Sequence, residues 1–205
     1  MVTAFQNLTG IPLSAPMIAQ LHLPVHLGGF GYLSLELISP SLYVSATIGY
    51  ALFGARTIGA PTELGISSVR MQGALDMLAV KYPVLRAQVA LLFQQPWNRE
   101  QLCKLVDHEK WSEPIHRYQF QAMVDSSAAR DRVRLLCLQN SHSGAWLNIC
   151  PSAAAGLRLG NPEFNIVSRF RLGCDILPQF PRNCALCGGL VMHTGTTCCA
   201  ASKMA

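Results

Sequence analysis

The 205-residue chain is 50% hydrophobic and only 13% charged, which excludes intrinsic disorder, and its eight cysteines are too dilute for a disulfide-stapled miniprotein. Sixteen Lys and Arg against eleven Asp and Glu give a formal charge of +5, compatible with a polyanionic partner. The charge is uneven: residues 1–55 carry one charged side chain, Glu36, whereas residues 117–182 hold eight basic and four acidic ones. A segment of that length facing water would carry more charge, so lipid or protein is expected to cover it, leaving an exposed apolar patch near residues 1–55. No basic residue precedes the apolar N-terminal residues and no clear cleavage pattern follows them. The expected location is therefore intracellular, nuclear or cytoplasmic, and not secreted.

Pro12, Pro16 and Pro24 divide the N-terminus into short pieces with one helical turn over 17–21. The glycines of Gly28-Gly29-Phe30-Gly31 demand a tight turn. Residues 1–35 thus read as an irregular segment with a Gly-rich turn. Ser41 is placed to cap a helix through Leu42, Ala46, Ile48 and Leu52 that stops at Gly54. The 19 uncharged residues 37–55 approach bilayer-spanning length, yet Ser39, Pro40, Ser41, Ser45 and Thr47 dilute them, so a membrane role is disfavoured. Ser67 or Ser68 opens the next helix, whose stripe of Val69, Ala74, Leu75, Leu78 and Ala79 runs to Pro83. Further helices are expected over 84–94, 99–111 (capped by Asn98), 115–124 and 128–138. The last spans 162–172, with Asn161 at its N-cap and Gly173 as its stop. No strand pattern and no repeat is evident. The fold class is mainly α: an irregular helical bundle over 36–177, followed by a small Cys-rich tail over 178–205.

The tail carries the most specific spacing. Cys184 and Cys187, with His193 and Cys198, form C-x2-C-x5-H-x4-C, near a compact zinc knuckle, and Cys199 can substitute for Cys198. Two thiolates two residues apart fold over one ion, and a third thiolate with an imidazole closes the tetrahedron. Zinc is the cofactor this implies, against the plainer alternative of reduced thiols that bind nothing. Cys103, Cys137, Cys150 and Cys174 are scattered on apolar stretches and read as buried free thiols. Arg130, Arg132 and Arg134, with Arg158, Arg169, Arg171 and Arg182, can neutralise phosphates, and Trp146 or Phe170 can stack on bases. A solvated helix face explains the first three equally well. His142 between Ser141 and Ser143 reads as a loop, and His108-Glu109 with His116, which could meet on a helical face to bind a metal, reads as a solvated mixed pair. No phosphate-binding loop, nucleophile elbow, H-E-x-x-H or paired-aspartate motif is present. Enzymatic activity is therefore not expected.

Three stretches, in order, resemble the C-terminal region of non-LTR retrotransposon polyproteins, downstream of the reverse transcriptase palm. Leu23-Pro24-Val25-His26-Leu27-Gly28-Gly29-Phe30-Gly31 resembles the family's LP...GGLGL segment, where the thumb begins. Ala145-Trp146-Leu147-Asn148 with Pro151, then Phe164 and Arg171-Leu172-Gly173, resembles its WL...P and F...RLG blocks. Cys184-x2-Cys187 with Gly195 resembles the opening of its Cys/His zinc motif, although the family's His would fall near Thr196 or Thr197. The resemblance implies a catalytically incompetent fragment: a thumb and helical linker plus a knuckle, with the catalytic aspartates lying upstream of the LP...GGLGL block. It also implies DNA or RNA as partner, and a polymerase palm or another protein against the uncharged N-terminal segment. Two rivals remain: a helical protein-interaction module without a nucleic-acid role, and a small membrane protein anchored through 37–55.

Overall fold

A computed structural model of the chain describes residues 2–59, 68–93, 99–150, 152, 154–156, 158–176, 182–183 and 190–191. It is mainly helical, as the hydrophobic periodicity predicts. Two helices open the chain, α1 (Val2–Thr9) and α2 (Ala15–Leu21), so the N-terminal segment is more regular than its prolines suggest. Pro16 sits in the first turn of α2, where its missing N–H costs no hydrogen bond. A 3-10 turn over Val25–Leu27 then leads into the glycines.

The long helix α3 (Leu35–Ile58) corrects the expected start at Ser41. It begins at Ser34 and runs through Pro40, and the Ser41 hydroxyl donates to the Ile38 carbonyl at 2.8 Å instead of capping. Its end lies at Gly59, whose N–H bonds the Gly54 carbonyl, five residues past the expected stop. Helix α4 (Val69–Lys81) is capped by Ser68, whose hydroxyl accepts from the Met71 N–H at 3.2 Å, as the sequence suggests. A 3-10 turn (Pro83–Leu85) feeds α5 (Arg86–Phe93), followed by α6 (Arg99–Leu105).

The single helix expected over 99–111 is broken. Helix α7 (Glu109–Ser126) starts anew, and the buried Trp111 indole reaches back to donate to the Leu105 carbonyl at 2.8 Å, satisfying an orphan acceptor at the end of α6. Pro114 lies inside α7, and the Lys110 carbonyl it frees accepts from the Gln88 amide at 3.2 Å. Helices α8 (Ala129–Leu138), α9 (Ala145–Asn148) and α10 (Asn161–Leu172) complete the bundle. Gly160, not Asn161, occupies the N-cap of α10. A two-residue antiparallel ladder pairs β1 (Arg182–Asn183) with β2 (Leu190–Val191), which no sequence pattern announces.

Three apolar cores hold these elements. Val44 and Ile48 of α3, Leu75 and Leu78 of α4, and Trp111 and Ile115 of α7 anchor the largest. A second joins Phe5, Ile11, Leu21 and Phe30 to Leu172, so both ends of the described helical chain meet. Leu23 and Leu27 pack on Phe120, Val124 and Leu135 in the third, which ties the glycine turn to α7 and α8. Each fully buried Leu or Ile here contributes roughly 1.5–3 kcal/mol.

Candidate nucleic-acid interface

Arg171, one of the arginines expected to meet phosphate, is 1% exposed. Its guanidinium donates to the carbonyls of Gly29 at 3.0 Å, Ser143 at 3.1 Å and Val25 at 2.7 Å, and lies 5.7 Å from the centroid of the Phe30 ring. Burial lowers its pKa, and the three carbonyl dipoles take the place of a carboxylate. This corrects the sequence reading: the side chain serves the fold and is spent on backbone. Arg134 is likewise engaged. It pairs with Asp131 at 3.0 Å and donates to the Gln20 amide oxygen at 3.3 Å and to the Arg171 carbonyl.

Gln20 is the residue the sequence reading missed. Buried at 2% exposure, its amide donates to the Gly28 carbonyl at 2.9 Å and the Arg171 carbonyl at 2.8 Å. The available signal was a lone amide in the apolar run around Met17 and Leu21, since a buried polar group must find partners.

Glycine is required at two points of this node. Gly28 adopts φ +83, a left-handed value that costs other residues strain. Gly29 lies so close to the Leu23 and Gln20 carbonyls that any Cβ would overlap them. The backbone can then present the Gly29 carbonyl to Arg171. Trp146 does not stand free as a stacking platform. It is half-buried, with its ring edge-to-face against Phe30 at 6.2 Å and Phe164 at 5.9 Å. The segments 23–31, 145–148 and 164–173, distant in the chain, therefore converge on one cluster.

The remaining arginines stand differently. Arg130 and Arg158 are exposed, and neither has a hydrogen-bond or charge partner among the described residues. Arg132 is exposed while donating to the Val124 carbonyl at 3.2 Å and the Ser127 carbonyl at 3.4 Å, which closes the end of α7. Arg169 is half-buried, donating to the Asp175 carbonyl at 3.4 Å. Arg130 also stands at a cleft of about 720 Å³ between α8 and α10, lined by Val133, Cys137, Trp146, Phe170 and Cys174. Phe170, 56% exposed, lines the same cleft as Arg130. Arg182 lies in β1.

The expected zinc ligands Cys184, Cys187, His193 and Cys198, with Cys199, lie outside the described residues. Among the described residues no group of three His, Cys, Asp or Glu could hold a metal ion. The buried-thiol expectation is corrected: Cys103, Cys137 and Cys150 are exposed and Cys174 is partly so. Cys103 and Cys137 each neighbour a buried leucine, Leu102 and Leu138, and one residue is enough to turn a helical side chain outward. His142 sits in a turn, its N–H bonded to the Asn140 side chain at 3.1 Å, and Ser143 donates to the Leu138 carbonyl, so no nucleophile–base pair forms.

A histidine cluster flanks the opposite side of the glycine turn. His26 lies 3.4 Å from Glu113, which also pairs with Arg117, and His108 lies 3.4 Å from the Ser41 hydroxyl. Burial lowers the pKa of His116; Glu113 opposes the shift, while His108 and His26 add to it. A proton thus binds His116 less tightly in the folded chain than in the unfolded one. Stability present at neutral pH is expected to fall as pH drops through the ordinary value of 6.5. Urea midpoints measured across that range should show the loss, and His116→Gln should flatten it.

The expected exposed patch near residues 1–55 is present: Leu35, Leu42, Tyr43, Tyr50 and Phe53 of α3 are exposed. By length and composition, Leu35–Thr57 is long and apolar enough to cross a membrane, although a third of that window is buried inside the protein. No protein-family model, curated protein or solved structure matches the chain.

Proposed function

We infer that the chain is a non-catalytic, reverse transcriptase-like helical unit that contacts the phosphate backbone of DNA or RNA. The observation that carries this reading is the convergence around Arg171: the segments that resemble the thumb and linker blocks of non-LTR retrotransposon polyproteins pack on one another. That node takes Arg171 and Arg134 out of contention and leaves Arg130, Arg132, Arg158, Arg169 and Arg182, of which the first four, on or beside the helical bundle, are the proposed phosphate-facing set. Phosphate contacts of this kind position a nucleic acid without reading its sequence. Replacing these four arginines by alanine, with helicity checked by circular dichroism, should abolish the mobility shift of a labelled duplex at low salt. An undiminished shift would overturn the assignment of these side chains.

A second reading, a helical protein-interaction module, is favoured by one observation. Tyr50 and Phe53, at 77% and 65% exposure, are large apolar groups that a protein neighbour would cover.

A further inference from the structure

The cleft between α8 and α10 is built from two facing helix rows. Val133 and Cys137 stand one turn apart on α8, and Val167 and Phe170 on α10, so each helix turns apolar groups toward the gap. Trp146 and Ile176 complete the wall. The space measures about 720 Å³, within the range of small-molecule sites. Val133 and Phe170, 61% and 56% exposed, are large apolar groups left open to it, and a ligand that covered them would remove that surface from water.

Charge gives the cleft a polarity. Arg130, Arg134 and Arg171 line it, and no carboxylate does. Arg134 is matched by Asp131 at 3.0 Å, whereas Arg171 rests on neutral carbonyls with no acid paired to it. Arg130 has no partner among the described residues and stands seven residues before Cys137, about 10 Å along the axis of α8. One end of the apolar wall thus carries an unmatched guanidinium. The lining side chains hold no amide, and their one hydroxyl, that of Ser143, already donates to the Leu138 carbonyl. An apolar chain ending in a carboxylate satisfies both halves, because a carboxylate accepts paired hydrogen bonds from a guanidinium. A nucleobase fits less well, since few side chains there can pair with its edge.

We propose that the α8–α10 cleft is a binding site for a single-chain carboxylate of the fatty-acid class, with the chain along Val133, Cys137 and Phe170 and the carboxylate on Arg130. The site does not rest on nucleic-acid contact, although Arg130 serves in both.

The test is calorimetric titration of the full chain with dodecanoate, alongside dodecanol and dodecyltrimethylammonium as neutral and cationic chains of the same length. Saturable binding at one site is expected for dodecanoate, about tenfold weaker binding for dodecanol, and none for the cation. Arg130→Ala should weaken dodecanoate about tenfold and leave dodecanol unchanged. Val133→Gln, at an exposed position, should weaken both about tenfold with helicity and duplex binding unchanged. Bound dodecanoate should also shield Cys137 from N-ethylmaleimide and leave the exposed Cys103 of α6 as reactive as before. A chain that binds dodecanoate but no duplex would still support the site. No binding of dodecanoate, or equal affinity for the three chains, would overturn it. So would equal shielding of Cys137 and Cys103, or a Val133→Gln variant that binds as the wild type does.

Discussion

Arg171→Ala should lower stability by roughly 3–5 kcal/mol, a large part of the total for a domain of this size. The substitution leaves three backbone carbonyls, those of Val25, Gly29 and Ser143, without their charged donor, and it opens space beside Phe30. The Val25 carbonyl keeps the Gly28 N–H, but those of Gly29 and Ser143 lose their donor, and an unpaired buried acceptor costs more than a hydrogen bond returns when formed, so the penalty exceeds that of a surface arginine. The melting temperature should fall by about 10 °C. Arg171→Lys should recover only a fraction, because one ammonium cannot span carbonyls that a planar fork reaches in three directions. Thermal unfolding of the three proteins checks both statements. A change under about 1 kcal/mol for the alanine variant would show that the node does not hold the N-terminal segment to α10.

Gly29→Ala should be nearly as damaging, at about 3 kcal/mol or more, for a steric reason. The added Cβ would strike the Leu23 carbonyl and come within 2.6 Å of the Gln20 carbonyl, and backbone cannot yield as a flexible side chain can. Gly73→Ala supplies the contrast. Nothing lies within 4 Å of a Cβ there, in the middle of α4, so alanine should stabilise by about 0.5–1 kcal/mol. Denaturant midpoints of the two variants should move in opposite directions.

How legible this was from sequence depends on what sets each feature. Helix positions with a strong stripe and a local cap, such as Ser68 before α4, could be read because neighbouring residues decide them. The break between α6 and α7 could not, because it is stabilised by Trp111 reaching a carbonyl six residues back, an interaction no propensity encodes. The passage of α3 through Pro40 was missed for the opposite reason. The local rule against internal proline is overridden by burial of Val44 and Ile48 on a core assembled from four other helices. For the site, composition could count arginines but not sort them. Arg130 and Arg171 look alike in sequence; one faces solvent and the other is buried by contacts with residues 28 and 142–146 positions away. The glycine block carried more information, since its close approach to Leu23 is a constraint that only glycine meets.

The central claim is that Arg130, Arg132, Arg158 and Arg169, the arginines this node does not engage, meet phosphates. Anisotropy titrations of a labelled duplex with the wild-type chain, repeated at several salt concentrations, test it most directly. Four phosphate contacts predict that log K falls with log salt at a slope of about −3 to −4. A slope near zero, or no binding even at low salt, would contradict it.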